Sequence, residues 1–432
     1  MSHRNERALR VSSLARVEGE GAMRVRVESG RVTDVRLEIY EPPRFFEAFL
    51  RGRAYTEPPD ITARVCGICP VAYQVSACNA IEDACGVSVP QQITDLRRLL
   101  YCGEWIESHA LHIYLLHAPD FLGYPSAIDM AKDHRSTVER GLGLKKVGNT
   151  LMEVIGGRAI HPINVRVGGF YRAPAVTELR ALRDPLRRAL DDALSTVEWV
   201  AGFEFPDFST EHDLLALSDA GRYPLEDGVV RTLSGRRFPV QRFDEHVIEE
   251  QVPHSTALHA HLGGGGNYLT GPLARYALNR EWLSPLAREA ADRAGLGEIC
   301  RNPFRSIVVR AVETVYAIDE ALRLIDGYRP PTPPAVPVAP RADIGYGASE
   351  APRGVLFHRY VLAADGTVLS ARIVPPTAQN QAAIEDDLRR YVTARLDLDD
   401  ERLTYDCEQA IRNYDPCISC STHFLDLTVE RV

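Results

Sequence analysis

The chain has no long apolar run. No stretch of about 18 apolar residues occurs, so no helix is expected to span a membrane. The opening MSHRNERALRVSSLARVEGEG has no apolar core, so no signal peptide is expected there. Positive charge is not in surplus: 50 Lys and Arg stand against 59 Asp and Glu, a net charge of -9. Phosphate binding needs a basic face, so nucleic acid is not expected as a partner. Cysteine is sparse and odd in number, nine in 432 residues, which argues against a disulfide scaffold. The glycine run Gly263 to Gly266 is not followed by Lys and Ser or Thr, so it reads as a flexible turn and not a phosphate loop. No sequence repeat is visible. With 45% hydrophobic and 25% charged residues, the composition is that of an ordinary globular enzyme with ample core.

The hydrophobic pattern is mainly helical. Leu96, Leu99, Leu100, Ile106, Leu111 and Leu115 recur at three- and four-residue steps, which predicts helix from Ile93 to Leu122. Further long helices are expected at Thr177 to Val200, Leu273 to Ala294 and Ser306 to Leu324, with another in ICPVAYQVSACNAIEDACG. Near the amino terminus, Ala22 to Ile39 alternates about Ser29-Gly30, which predicts a hairpin. RPPTPPAVPVAP, Arg329 to Pro340, reads as an extended connector. After it, Val355 to Ile373 alternates about Asp365-Gly366 as a second hairpin, whose outer ends, Arg353 and Thr377, should emerge at one spot.

Four of the nine cysteines fall in two pairs, RVCGIC (Cys66, Cys69) and DPCISCSTH (Cys417, Cys420, with His423). One CxxC is a weak signal; two with an adjacent histidine are stronger. Four thiolates suit zinc, an iron-sulfur cluster, or thiophilic nickel or copper. Ordinary zinc ribbons keep their pairs close, because a short loop closes cheaply. Here the pairs lie at opposite ends of the chain, so a site built from both must be assembled by the completed fold. The other cysteines (Cys78, Cys85, Cys102, Cys300, Cys407) read as small buried hydrophobes. His109 and His112, three apart on a predicted helix with no acid in step, read as core residues.

The two cysteine motifs closely resemble those of nickel-iron hydrogenase large subunits. LARVEGEG, FFEAFLRGR, SHALHIYLLHAPDF, GGRAIHP, GPLARY, EAPRG and VPPTAQN fall in the same order as further boxes of that family, and the resemblance covers essentially the whole chain. It implies one large-subunit domain over 1–432, mainly α (α+β): a long-helix bundle around a buried metal site, with small antiparallel hairpins near both termini. Within it, 1–90 would carry the first hairpin and first CxxC, 91–328 the helical core, and 341–432 the second hairpin and second CxxC. The implied reaction is reversible heterolytic cleavage of H2 to protons and electrons.

The resemblance also implies roles. Cys66, Cys69, Cys417 and Cys420 would ligate nickel, with Cys69 and Cys420 bridging to an iron that carries carbon monoxide and cyanide. Arg353 would sit over the open position; its guanidinium is not easily deprotonated. Asp120 and Asp415 would be its acidic neighbours. Thr377 would donate to an iron-bound cyanide, and Pro352 of EAPRG would line the same cofactor. Glu18 would relay protons. Glu47 and His423 would hold a magnesium or iron ion that keeps several waters. No further cysteine set could bind a cluster, so an iron-sulfur small subunit must carry the electrons, joined to diaphorase-type subunits holding NAD(P) and flavin. Maturation factors would insert the metals. The expected location is the cytoplasm.

Two departures stand out. The family's first motif usually runs CxxCxxxH, but Tyr73 holds the fourth place here, as in the variable cytoplasmic multi-subunit branch. After the second motif, FLDLTVERV alternates as a final strand would, or is a short cleavable peptide; the alternation favours retention. Three other readings compete: a hydrogen-sensing subunit with the same site, a quinone-oxidoreductase relative (which would have lost the cysteines), and a structural zinc protein.

Overall fold

The computed structural model describes residues 6–41 and 45–422. The fold is mainly helical with small sheets, as the sequence leads one to expect. Its centre is a bundle of long helices, Gln91–Leu111, Arg135–Gly156, Arg183–Ala201 and Ser306–Gly327, flanked by the helix Pro70–Cys85. Gln91–Leu111 and Arg135–Gly156 touch backbone to backbone at a glycine: a Cβ on Gly148 would lie 2.6 Å from the Gly103 carbonyl oxygen and 2.7 Å from the Glu107 nitrogen.

The predicted amino-terminal hairpin forms from Gly21–Glu28 and Arg31–Ile39, and a further strand, Glu6–Val11, adds to its edge. Ser29 and Gly30 both have positive φ, the geometry a two-residue hairpin turn needs. Met23, Val25 and Val27 point inward and pack against Ile384, Leu388 and Tyr391 of the helix Pro376–Thr393 and Leu403 and Ile411 of Asp400–Arg412.

Three predicted helices are interrupted. Ile93 to Leu122 runs as Gln91–Leu111, a π-helical turn His112–His117, and Ala118–Leu122. Pro119 removes an amide donor just past that turn. Thr177 to Val200 divides into Val176–Arg180 and Arg183–Ala201. Leu273 to Ala294 divides into Pro272–Asn279 and Pro285–Arg293 because Ser284 precedes a proline, is extended (ψ 153°), and caps the second helix. Ser306–Gly327 is continuous, and Gly263 to Gly266 forms the expected turn. The connector from Arg329 docks through backbone hydrogen bonds to Gly168 and Phe170.

The second predicted hairpin, Gly354–Leu362 with Val368–Val374, is the outer part of a three-stranded sheet whose first strand is Asp343–Ala351. Ala351 pairs with Gly354, so Pro352 and Arg353 form a two-residue turn at one end of this sheet. The first strand lies directly on the helix Pro70–Cys85. A Cβ on Gly345 would be 1.9 Å from the Ala80 oxygen, and one on Gly347 would be 2.4 Å from the Ser76 oxygen. Glycine is required by that approach. Residues 213–269 add a four-stranded sheet and the antiparallel ribbon Val247–Glu250 with His259–Leu262. No helix among the described residues is long and apolar enough to cross a membrane.

Candidate metal centre

The two cysteine pairs converge. Cys69 caps the helix Pro70–Cys85, with Pro70 at its first position, where no amide is needed. The first free amides of that helix, Val71 and Ala72, donate to the buried Glu104 carboxylate at 2.6 and 3.2 Å. Burial pushes the Glu104 pKa up against those two bonds. Cys66 Sγ accepts the Ile68 amide at 3.2 Å. On the other side, Asp415 adopts a left-handed turn (φ 51°) that aims Cys417 inward, and Cys420 sits on the one-turn helix Ile418–Ser421.

Cys66 Sγ lies 3.5 Å from Cys417 Sγ, Cys69 Sγ 3.7 Å from Cys420 Sγ, and Cys417 Sγ 2.6 Å from Cys420 Sγ. All four thiols are buried and free, and all lie within 4.8 Å of one another. Burial raises the Cys417 thiol pKa, while hydrogen bonds from Cys417, then Cys420 and Cys69, hold Cys66 well below the usual thiol value. Four convergent, unbonded, water-excluded sulfurs fit a tetrathiolate centre for a soft metal. The other five cysteines are buried and lie outside this group. Burial pushes Cys78 and Cys407 up to about 12, the state of inert thiols.

Arg353 and Thr377 both reach the segment 415–417. Arg353 Nε donates to the Asp415 carbonyl oxygen at 2.7 Å and Nη2 to Asp415 Oδ1 at 3.1 Å. Its Nη1 is buried with no hydrogen-bond partner among the described residues. Burial opposes its charge, but Asp415 and the thiols Cys417, Cys69 and Cys66 hold its pKa well above the ordinary value. The Cys417 amide donates to Thr377 Oγ1 at 2.9 Å. Pro352 forms the hairpin tip beside Arg353, its carbonyl accepting Arg275 Nη2 at 2.9 Å.

Glu18 runs beside the second motif. The Ile418 amide donates to its carbonyl at 2.9 Å, Cys417 Sγ lies 3.1 Å from Glu18 Oε2, and the Ser419 amide donates to the same oxygen at 3.1 Å. Glu47 accepts the Ile373 amide at 2.6 Å. Glu47, Tyr73, Glu249, Cys420 and Thr422 line one small cavity of about 40 Å³. His423 and the tail FLDLTVERV lie outside the described residues.

Asp120 makes no ion pair with Arg353 among the described residues. Its carboxylate is taken by Arg412, through Nε at 2.7 Å and Nη2 at 2.8 Å, and by Arg16. Arg412 ends the helix Asp400–Arg412 just before Asp415, so Asp120 anchors the backbone that delivers the late cysteines. Among the described residues, Asp415 is the acidic partner of Arg353. His109 and His112 are buried as expected, though His109 Nε2 does meet an acid from another helix, Glu313 at 3.1 Å. Tyr73 is buried with its hydroxyl unpartnered among the described residues, and its ring is 5.6 Å from that of His358.

Three residues escaped the sequence reading. Arg275 grips the Arg353 hairpin through the carbonyls of Ala351 and Pro352, both at 2.9 Å. Its signal was present in GPLARY. Ser419 and Glu41 continue outward from Glu18: Ser419 Oγ donates to Glu41 Oε1 at 3.2 Å. No spacing marks that pair.

Comparison with known proteins decides the family. A family profile described as Nickel-dependent hydrogenase matches residues 44–147. Sulfhydrogenase 1 subunit alpha of Pyrococcus furiosus is 35% identical over 421 residues, 96% of this chain and 98% of that one. This chain belongs to the nickel-dependent hydrogenase large-subunit family. The hydrogenase is also 26% identical to the NAD-reducing hydrogenase HoxS subunit beta of Cupriavidus necator, over 97% of this chain and 95% of that one. Its fold matches the crystal structure of an NAD+-reducing [NiFe]-hydrogenase in the H2-reduced state, with a TM-score of 0.87, 27% identity, and 96% and 99% of the two chains covered. The buried tetrathiolate is thus the hydrogenase's group for the nickel-iron site.

Proposed function

We propose that this hydrogenase subunit catalyses reversible heterolytic cleavage of H2 in a complex that passes electrons through an iron-sulfur small subunit to diaphorase-type subunits and NAD(P)+. The observation that carries the reading is the meeting of four buried thiols from opposite chain ends, with Arg353, Thr377 and Glu18 around them. When bound, the nickel-iron centre, its iron carrying carbon monoxide and cyanide, supplies the cleavage of H2. Cys66, Cys69, Cys417 and Cys420 would hold it. The fold excludes water from the sulfurs, which strengthens every charge interaction there.

The chain's own residues handle the proton. Arg353 is anchored on one side by Asp415, which leaves Nη1 as a fixed donor. Glu18 Oε2, 3.1 Å from Cys417 Sγ, is within reach of a proton on that sulfur. Beyond it, Ser419, whose amide also donates to Glu18, gives its hydroxyl proton to a hydrogen bond with Glu41. Thr377 orients Cys417 and would donate to an iron-bound cyanide, with Pro352 lining the same cofactor. Glu47 and His423 would hold a magnesium or iron ion. Maturation factors insert the metals, and the complex works in the cytoplasm.

The NAD(P)+ assignment draws on the two NAD-linked relatives, while the 35% relative bears the name sulfhydrogenase. The test is H2/D2O isotope exchange by the purified complex, with NAD+, NADP+ and elemental sulfur compared as acceptors and metal content measured alongside. Nickel and iron are expected together, with infrared carbonyl and cyanide stretches. Cys420→Ser should abolish exchange; exchange at the unmodified rate, or zinc alone in the protein, would overturn the reading. Turnover too slow to sustain acceptor reduction would point to the sensing role.

A further inference from the structure

A second set of metal-ligating side chains lies apart from the thiols and takes no part in the chemistry above. His254, His259 and Glu385 each offer a ligand atom, and these atoms lie within 4.8 Å of one another. His254 Nε2 is 2.8 Å from Glu385 Oε1, and His259 Nε2 is 4.0 Å from the same oxygen. The two rings stand edge-on at 84°, with centroids 5.4 Å apart, so their nitrogens converge from different directions.

His259 supplies a second, independent observation. The residue is only 5% exposed, yet its Nε2 is buried with no hydrogen-bond partner among the described residues. Buried polar atoms in folded proteins are nearly always satisfied, and an orphan one aimed at a carboxylate needs an explanation. A metal ion between the ring and the carboxylate would supply one, and neutral imidazole is the form such an ion binds.

The donor set selects the ion. Two imidazole nitrogens and one carboxylate oxygen suit zinc or a similar divalent transition metal, whereas magnesium and calcium favour sets made mostly of oxygen. Ligand atoms around a tetrahedral zinc lie about 3.3 Å apart. The observed 2.8 and 4.0 Å straddle that spacing, so small side-chain adjustments would close the site.

The place of the cluster gives it a role. The Leu37 amide donates to Glu385 Oε1 at 2.8 Å, which ties in the strand Arg31–Ile39. Thr256, between the two histidines, donates its amide to the Ile39 oxygen at 2.7 Å, and Ala257 bridges to Thr422. Glu385 lies on the helix Pro376–Thr393, whose first turn carries Thr377. One ion would therefore tie the segment 254–259, the bed under Thr422, to that helix, with the strand Arg31–Ile39 joined through Glu385. We propose that His254, His259 and Glu385 form a second metal site, structural in role, for a zinc-type divalent ion that pins this bed to the helix Pro376–Thr393.

The test uses the untagged holoenzyme, its thiols already occupied, titrated with Co2+ alone. One equivalent should bind, with ligand-field absorption and no thiolate charge-transfer band, and Zn2+ should displace it. Zinc should also raise the melting temperature of the unmodified protein. His259→Ala and Glu385→Gln should each abolish the Co2+ signal and the zinc-induced shift, with nickel and iron content unchanged. Should either variant fail to fold, X-ray absorption on zinc bound to the unmodified protein still decides: a nitrogen and oxygen shell with imidazole scattering supports the site, and a sulfur shell overturns it. Absence of saturable Co2+ binding, or undiminished binding in a folded His259→Ala protein, overturns it as well.

Discussion

The Cys417 amide donates to the Thr377 hydroxyl at 2.9 Å, and that bond ties the late cysteine pair to the first turn of the helix Pro376–Thr393. Both partners are buried. Thr377→Val keeps the shape and removes the acceptor, so the Cys417 amide is left unpaired at a cost of about 1–3 kcal/mol. The expected result is a lower melting temperature and sub-stoichiometric nickel after purification. Thr377→Ser, which restores the oxygen, should recover both. Full nickel content and unchanged stability in Thr377→Val would show that the bond does not position Cys417.

What the sequence made legible follows from local rules. The CxxC pairs, the hairpin about Asp365-Gly366 and the long Ser306–Gly327 helix each carry their signal within a short window. The strand Asp343–Ala351 was missed because Gly345 and Gly347 break its alternation, and they are there to let the backbone meet Ala80 and Ser76. Its absence from the reading hid the fact that Pro352 and Arg353 are themselves a turn. Asp120 was assigned to Arg353 on motif order; only the fold shows that Arg412, 292 residues away in sequence, claims its carboxylate. The His254, His259 and Glu385 cluster joins residues up to 131 apart, with no motif to announce it.

Asp120 is accordingly a test of anchoring. Removing one partner of a buried ion pair strands the other charge, at a cost of about 3–5 kcal/mol. Asp120→Asn should lower the urea midpoint of unfolding and loosen the Asp400–Arg412 helix end, seen as faster amide exchange near Asn413 and Tyr414. If Asp120 instead acted directly on Arg353, activity would fall with stability and exchange unchanged.

Glu18 separates proton handling from metal holding. Glu18→Gln leaves an oxygen for the Ser419 amide but no ionisable group beside Cys417 Sγ. General acid-base contributions are typically of order 10²-fold or more. H2 oxidation and H2/D2O exchange should fall by about that factor, with nickel content and carbonyl stretches close to those of the unmodified protein. Glu18→Asp should fall between. A variant with unaltered exchange would remove Glu18 from the path.

The response to acid follows from two carboxylates that share one guanidinium. Arg275 contacts Glu313 at 2.8 Å through both Nε and Nη2, and Glu350 at 3.0 Å. Burial alone would raise Glu313, but Arg275 and then His109 overcome it and hold the carboxyl at about 2, against an ordinary 4.5. Burial dominates at Glu350, which is pushed up to about 7 with Glu313 adding to the rise. Glu320 is held at about 2 against burial by Arg323 and Arg98. His358, buried, is pushed down to about 3 from 6.5. The signs then sort by pH. Between about 6.5 and 4.5 the unfolded chain takes up a proton at His358, which costs stability as pH falls, while the native state holds one at Glu350, which returns it. These two contributions therefore oppose one another in that window. Below about 4.5, Glu350 is protonated in both states, and Glu313, Glu320 and His358 all favour proton uptake by the unfolded chain, together contributing a slope of at most roughly 4 kcal/mol per pH unit. Urea midpoints measured across pH should fall steeply below about 4.5. In Glu350→Gln the opposing contribution is gone, so stability should fall more steeply between 6.5 and 4.5 than in the unmodified protein; equal slopes in the two proteins would refute the assignment of the proton to Glu350.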